Sequence, residues 1–351
     1  MGAPRRVPAA RVRREVRETG LMSTETTVRF PVELPTVKRG EHWYARAGAR
    51  ELRLSNLDKI YWPEEGFTKG DLLTYYFNIS PTMIPHLEDR PLTLKRMPNG
   101  VLGEFFYEKN AQAHTPEWMP RIQVRSEDVG RTINFLTACD VAHMLYIVNL
   151  GAIEFHPLHG RGTDQSHPTY CFFDLDPFEP AGWDEVAHVA GLIKAVLDRL
   201  ELRGYPKTSG ATGMQIMLPL DGRLPYDQVR GFVGTVSDLI HEMEPDVTTL
   251  EWETKKRAGK VFLDVNMNRQ GANIAAAYSV RPEPGATVST PLRWDEVADV
   301  HPSDFSIETI FDRIAEVGDL FLEVARGPGQ DLRPLIEQLG AHPRKAREFK
   351  R

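Results

Sequence analysis

Cysteine is nearly missing from this chain, with Cys139 and Cys171 alone among 351 residues. Two thiols cannot build a disulfide framework or a cysteine-rich zinc site, so a reducing compartment is the expectation. Long apolar runs are missing too. The longest, Val141 to Phe155, is interrupted by His143, Asn149 and Glu154 and is too short to span a bilayer. No apolar segment follows the arginine-rich start, which therefore does not read as a signal peptide. An excess of positive charge is also absent. The 43 Lys and Arg stand against 49 Asp and Glu, a net −6 that excludes a protein coating nucleic acid through bulk charge. Any phosphate binding must be local. These absences point to a soluble cytoplasmic protein with no membrane partner.

What remains is an ordinary globular composition, 41% hydrophobic and 26% charged, long enough for about two domains or subdomains at roughly 150 residues each. Residues 1–40 read as a basic, disordered extension, with six arginines in the first 21 positions. Met22 leaves two readings of that extension open: a start codon assigned too far upstream, or a functional arm. Residues 41–330 read as the folded domain, and 331–351 as a basic tail. Strand patterns at 90–95, 103–107, 170–175, 214–218 and 260–265 are interleaved with helical ones at 69–84, 140–151, 184–202, 226–243 and 306–325. Such interleaving predicts an α/β or α+β fold.

The segment Tyr170-Cys171-Phe172-Phe173-Asp174-Leu175-Asp176-Pro177 puts two aspartates one residue apart on an apolar strand. Alternation sends Asp174 and Asp176 to one face, where adjacent carboxylates repel unless a cation compensates them. An oxygen-rich site suits Mg²⁺ or Mn²⁺. Asp264, ending the strand Lys260-Val261-Phe262-Leu263, is a third candidate; its structural alternative is an arginine-paired strand end. Between them, Lys207-Thr208-Ser209-Gly210-Ala211-Thr212-Gly213-Met214-Gln215 is a glycine and hydroxyl turn whose amides can converge on an anion. It is not a Walker motif, because no Gly-Lys-Ser/Thr opens a helix. Basic runs occur at Lys95-Arg96, Lys255 to Lys260 and Arg344 to Arg351.

The ordered set Asp174-Leu-Asp-Pro177, then Ser209-Gly-x-x-Gly-x-Gln215, then a lysine-rich strand into Phe262-Leu-Asp264, resembles the archaeo-eukaryotic primase superfamily. Within it the chain is most similar to the polymerase domain of bacterial ATP-dependent DNA ligase D, over about residues 48–325. Further matches are Leu54 to Pro63, Arg90-Pro91 with Lys95 to Gly100, Phe105 to Lys109, Asn149 to Gly151 with Glu154 and His156, Ala277 to Arg281, and Ser289 to Glu296. Each motif is modest, whereas nine in order are specific.

The resemblance implies a primase-polymerase fold, with two mixed sheets and flanking helices around a central catalytic cleft. It implies a template-dependent nucleotidyl transferase that fills gaps and extends broken DNA ends, with ribonucleotide preference. Asp174, Asp176 and Asp264 would be the catalytic metal ligands, for Mn²⁺ or Mg²⁺. Thr208, Ser209, Gly213, Gln215, His156, Arg257, Lys260 and Arg281 would bind the nucleoside triphosphate. Asn56, Lys59 and Lys69 would grip the 5′-phosphate of a gapped or broken duplex. Phe106 and Tyr107 would stack on the template, although core packing of one of them is the structural alternative. Partners implied are Ku and a separate DNA ligase, since no nuclease module and no Lys-x-Asp-Gly ligase motif is seen. The location implied is cytoplasmic and nucleoid-associated.

Two departures stand out. Gln215 replaces a histidine common in relatives, which narrows its role to positioning. Met267 stands where some relatives have arginine, with Arg269 nearby as a partial substitute. A primase-polymerase that starts chains, or a catalytically weak module that binds DNA ends, remain as alternatives.

Overall fold

The computed structural model describes residues 30–126 and 130–347; the arginine-rich segment 1–29 and the last basic residues 348–351 lie outside the described residues. The described chain starts with an antiparallel meander, β1 (Thr36–Arg39), β2 (His42–Ala47) and β3 (Arg50–Leu54). Strand β1 lies within the 1–40 segment expected to be an extension. It pairs with β2 because Gly40, at φ +60°, supplies the left-handed turn between them. A short hairpin, β4 (Ile60–Trp62) and β5 (Phe67–Thr68), leads into α1 (Lys69–Leu87). Thr68 caps α1 reciprocally with Asp71. Helix α1 outruns its predicted end at 84 and stops where Asp89 turns left-handed at φ +58°. Leu72, Leu73, Tyr75, Tyr76, Ile79, Met83 and Leu87 are buried around most of its circumference, which makes it the axial helix of the first lobe.

That lobe is built on β6 (Leu92–Arg96), β7 (Phe106–Glu108), β8 (Arg121–Ser126), β9 (Arg131–Leu136) and β10 (Ala152–Pro157), with α2 (Val141–Asn149) between the last two. Strand order is β10-β6-β9-β8 with β7 also against β6, and every pairing is antiparallel.

The second sheet has the order β12-β13-β11-β15-β14, from β11 (Tyr170–Pro177), β12 (Tyr205–Thr208), β13 (Met214–Pro219), β14 (Thr248–Thr249) and β15 (Val261–Leu263). It is mixed, because β14 runs parallel to β15. Helices α3 (Trp183–Arg199) and α4 (Tyr226–Met243) cover one face. Cys171, Phe173 and Leu175 of β11 join Met214, Ile216 and Leu218 of β13 in the core beneath those helices. The alternate residues Tyr170 and Phe172 pack into the first lobe's core. Asp174 and Asp176 continue that second face, so the strand period of two carries both carboxylates into the space between the sheets.

The helix expected over 306–325 is divided into α5 (Ile310–Val317) and α6 (Leu322–Arg326), because Gly318 takes φ +70° and ends the first. A last short helix, α7 (Arg333–Gln338), follows. The expected tail from 331 is anchored along its described length: Leu332 is fully buried, Arg344 N–H donates to Asp227 O at 3.0 Å, and Arg347 N–H donates to Asn266 Oδ1 at 2.9 Å. No described helix is long and apolar enough to cross a membrane.

Candidate active site

Asp174 sits at the cross-strand position of Gln215 on β13, while Asp264, just past β15, donates its backbone N–H to Asp174 O at 3.1 Å. Three carboxylates separated by up to 90 positions thus gather at one end of β11. Burial weakens all three as acids, shifting each carboxyl the same way. Asp174 is pushed well above the carboxylate range by burial and by the charge of Asp176. Asp176 is pushed up to about 6 by burial and by Asp264, and Asp264 is raised by its burial. Their close hydrogen-bonding neighbours are few: Gln215 Nε2 donates to Asp174 Oδ1 at 2.8 Å, and Asn266 N–H donates to Asp264 Oδ1 at 2.9 Å. Among the described residues no three carboxylate, histidine or cysteine side chains are already gathered into a metal cluster. The fit to a divalent cation is instead electrostatic, because buried carboxylates, with Asp174 and Asp176 also burdened by a neighbour's charge, are what such an ion relieves.

The turn 209–213 folds around Ser209, whose Oγ accepts from Ala211 N–H at 3.1 Å and Gly213 N–H at 3.0 Å. Gly213 has no room for a side chain, since a Cβ there would strike Leu175 O and come near Asp176. Gly210 is left-handed at φ +75° and lies under Arg281, whose Nη1 donates to Ser209 O at 2.6 Å. The turn therefore sits against Asp176 as a compact nest, with the Ala211 and Gly213 amides gathered on Ser209 Oγ.

From the facing sheet, Glu154 gathers Lys95, Arg281 and His156, the last lowered in its own basicity by burial. Its carboxylate meets Lys95 Nζ at 3.0 Å, His156 Nε2 at 2.5 Å and Arg281 Nε at 3.5 Å. Burial opposes its ionisation, but the His156 hydrogen bond and the charges of Arg281 and Lys95 prevail and hold it at about 2. A cleft of about 420 Å³ opens between the sheets, lined by Asp174, Asp176, Ser209, Gln215, His156 and Arg281. Met267 and Arg269 line it as well.

The expected nucleotide residues divide. Ser209, Gly213, Gln215, His156 and Arg281 converge on the cleft. Thr208 is fully buried and its hydroxyl is turned to Val288 O and Thr290 N–H, away from the nest. Lys260 Nζ reaches back to Pro245 O at 2.6 Å. Arg257 lies on the β15 side, stacked 3.5 Å from the Phe262 ring centre and bonded to the carbonyls of Glu251 and Trp252. The loop before β15 turns both side chains toward β14, so neither meets the turn at β12–β13.

The 5′-phosphate set divides too. Asn56 is exposed in a left-handed turn, and Lys59 is half-buried, donating to Pro98 O at 2.7 Å and Asn99 Oδ1 at 2.6 Å. Lys69 is 3% exposed, with its ammonium among Ser55 O, Ser55 Oγ, Asn149 O and Asn149 Oδ1. Burial, with Lys59 and Arg96 nearby, lowers it to about 8. It braces the loop rather than facing solvent. Phe106 and Tyr107 are 45% and 54% exposed, so neither packs into the core. They point to opposite sides: Phe106 lies under the Arg96 guanidinium and Tyr107 lies edge-on to His156 in the cleft wall.

Two buried residues were not among the expected site residues. One is Glu154, whose signal was its position two residues before His156. The other is Lys207, 1% exposed, which donates to Gln215 Oε1 at 2.8 Å and Ser289 Oγ at 2.7 Å. Burial and the charge of Arg281 lower Lys207 to about 7. Nothing local distinguished it from a surface lysine.

The family model for the LigD primase-polymerase domain matches residues 68–321. A multifunctional non-homologous end joining protein LigD of Mycolicibacterium smegmatis is 32% identical over 271 residues, 77% of this chain and 35% of that protein. The bifunctional LigD of Bacillus subtilis is 29% identical over 292 residues, 82% of this chain and 47% of that protein. This chain therefore spans less than half the length of either. Among solved structures, the polymerase domain from Mycobacterium tuberculosis ligase D in complex with DNA aligns with a TM-score of 0.73 and 30% identity, covering 78% of this chain and 98% of that one. With the three carboxylates, the Ser209–Gly213 turn and the facing Glu154 cluster all inside the matched residues, the chain belongs to the LigD primase-polymerase domain family.

Proposed function

We infer that this chain is a template-dependent nucleotidyl transferase that fills gaps and extends ends during non-homologous end joining. The observation that supports it best is the placing of Asp174 and Asp176 on one face of β11 beside the Ser209–Gly213 turn, with Asp264 at the end of the paired strand β15. A divalent pair, Mn²⁺ or Mg²⁺, held by the three aspartates would supply an activated 3′-hydroxyl and a stabilised pyrophosphate leaving group. The chain's own residues do the rest. Ser209 and the amides of its turn receive the triphosphate, Arg281 lies over that turn, and Glu154 keeps Lys95, His156 and Arg281 aligned on the cleft wall. Gln215 orients Asp174 through its amide nitrogen.

DNA carrying a 5′-phosphate at the far side of a gap is the proposed nucleic-acid substrate, with Asn56 and Lys59 as its contacts. Ku and a separate ligase are the proposed partners, and the proposed location is the nucleoid. The deciding experiment is extension of a primer on a gapped duplex with Mn²⁺, using ribonucleotides and deoxyribonucleotides side by side. Templated addition, faster with ribonucleotides, is expected. Binding without addition would instead favour the end-binding module, and addition on unprimed template would favour the chain-starting enzyme.

A further inference from the structure

The second sheet sets out chemistry in strand order. The nest lies at the β12–β13 end, the paired aspartates on β11, and Asp264 after β15. Beyond Asp264, at the β14 side, a second pocket of about 200 Å³ is lined by Asp264, Asn266, Arg230, Arg344, Lys345 and Arg347. The basic run Arg344 to Arg347 reaches this pocket, whose wall also holds Trp252. The described C-terminal segment lies along α4, where Gly231 and Gly234 leave room that a Cβ would take from His342 and Arg344. It is pinned by Asn266, which accepts from Arg347 N–H and shares the turn of Asp264. The Arg347 guanidinium then stands 6.0 Å over the Trp252 ring, next to the turn Thr254–Lys256. Arg344 is engaged by Asp238. Lys255, Lys345 and Arg347 are exposed and make no ion pair among the described residues. Arg230 is 5% exposed and its Nε has no hydrogen-bond partner.

Nucleotidyl transfer needs the attacking and leaving oxygens roughly in line across the phosphorus. If pyrophosphate leaves toward the nest, the 3′-hydroxyl must arrive from the opposite side, past Asp264. We propose that the surface formed by Lys345 and Arg347 beside Asp264 is the seat of the primer strand, holding the phosphodiesters just upstream of its 3′ end. This rests on the polymerase reading above. It gives the C-terminal segment, which lies outside the residues matched by the family model, a substrate-binding role.

The test is a Kd titration on a recessed primer-template across a salt series, with wild type and a Lys345→Glu, Arg347→Glu double variant. Both side chains are exposed, and the pin to Asn266 uses the backbone of Arg347, so the fold is expected to survive; an unchanged urea-unfolding midpoint in the variant checks this. The double variant should bind at least about tenfold more weakly, and its log Kd against log salt slope should fall by nearly 2, at ~0.9 per lost phosphate contact. Its preference for a 5′-phosphorylated gap should be unchanged. An unchanged Kd and slope, with wild type extending primers normally, would overturn the primer seat alone. An equal loss on template strand without primer would overturn the assignment to the primer. A wild type that binds but never extends would overturn the polymerase reading instead.

Discussion

Gln215 and Asp174 are cross-strand partners joined side chain to side chain, the Gln215 amide donating to Asp174 Oδ1 at 2.8 Å while its carbonyl is held by Lys207. That arrangement fixes which end of the amide faces the carboxylate. A glutamine held this way is a positioning residue with one amide hydrogen left for the cleft. Replacing Gln215 with alanine leaves Lys207 and Asp174 each short of a buried partner. The expected result is a stability loss of about 1–3 kcal/mol in urea unfolding together with slower extension at limiting nucleotide, with Gln215→His closer to wild type. Wild-type stability in Gln215→Ala would remove the positioning role.

Asp174→Ala or Asp176→Ala should abolish extension while leaving DNA binding nearly intact, because the carboxylates lie in the cleft and the basic surfaces lie outside it. Single-turnover extension and a binding titration on the same DNA separate the two. More than about a tenth of the wild-type rate would amount to less than roughly 1.4 kcal/mol and would end the assignment of these residues as metal ligands.

Acidity offers a test that needs no catalysis. Asp176 rises to about 6 in the folded chain, from an ordinary 3.8, through burial and Asp264. The folded state therefore holds protons that the unfolded state has released, so this contribution is complete below pH 3.8 and is lost as pH rises through 6. The metal-free protein should lose stability over that window on account of this group. Mn²⁺ should raise the melting temperature more at pH 7.5 than at pH 5, as binding to the folded state alone requires. An Asp176→Asn variant should lose the pH-dependent part; a Mn²⁺ shift equal at both pH values would contradict the arrangement.

Lys59 and Lys69 should separate cleanly. Lys59→Ala is expected to remove most of the preference for a 5′-phosphorylated gap while the fold stays intact, since a charge-assisted contact is worth about 1.5–3 kcal/mol. Lys69→Met should instead destabilise the protein, because Ser55 and Asn149 lose their shared donor inside the fold. Equal affinity of wild type for phosphorylated and unphosphorylated gaps would dismiss the end-recognition pocket.

Local pattern alone was enough for much of this protein. The period-two alternation of β11 settles that Asp174 and Asp176 share a face, and the Thr68–Asp71 capping box starts α1 where the helical pattern begins. Glycine and hydroxyl content likewise marked the turn that became the nest. Tertiary structure decided what depends on residues far apart. It brought Asp264 to Asp174 by pairing β15 with β11, turned Arg257 and Lys260 toward the β14 side, away from the Ser209–Gly213 turn, and buried Lys69 as a brace. A charged side chain's role is set by the partners that replace its water. For Glu154 and Lys207 the decisive partners Arg281 and Ser289 lie far along the chain, as Asn266 does for the C-terminal basic run, so only the folded chain could name them.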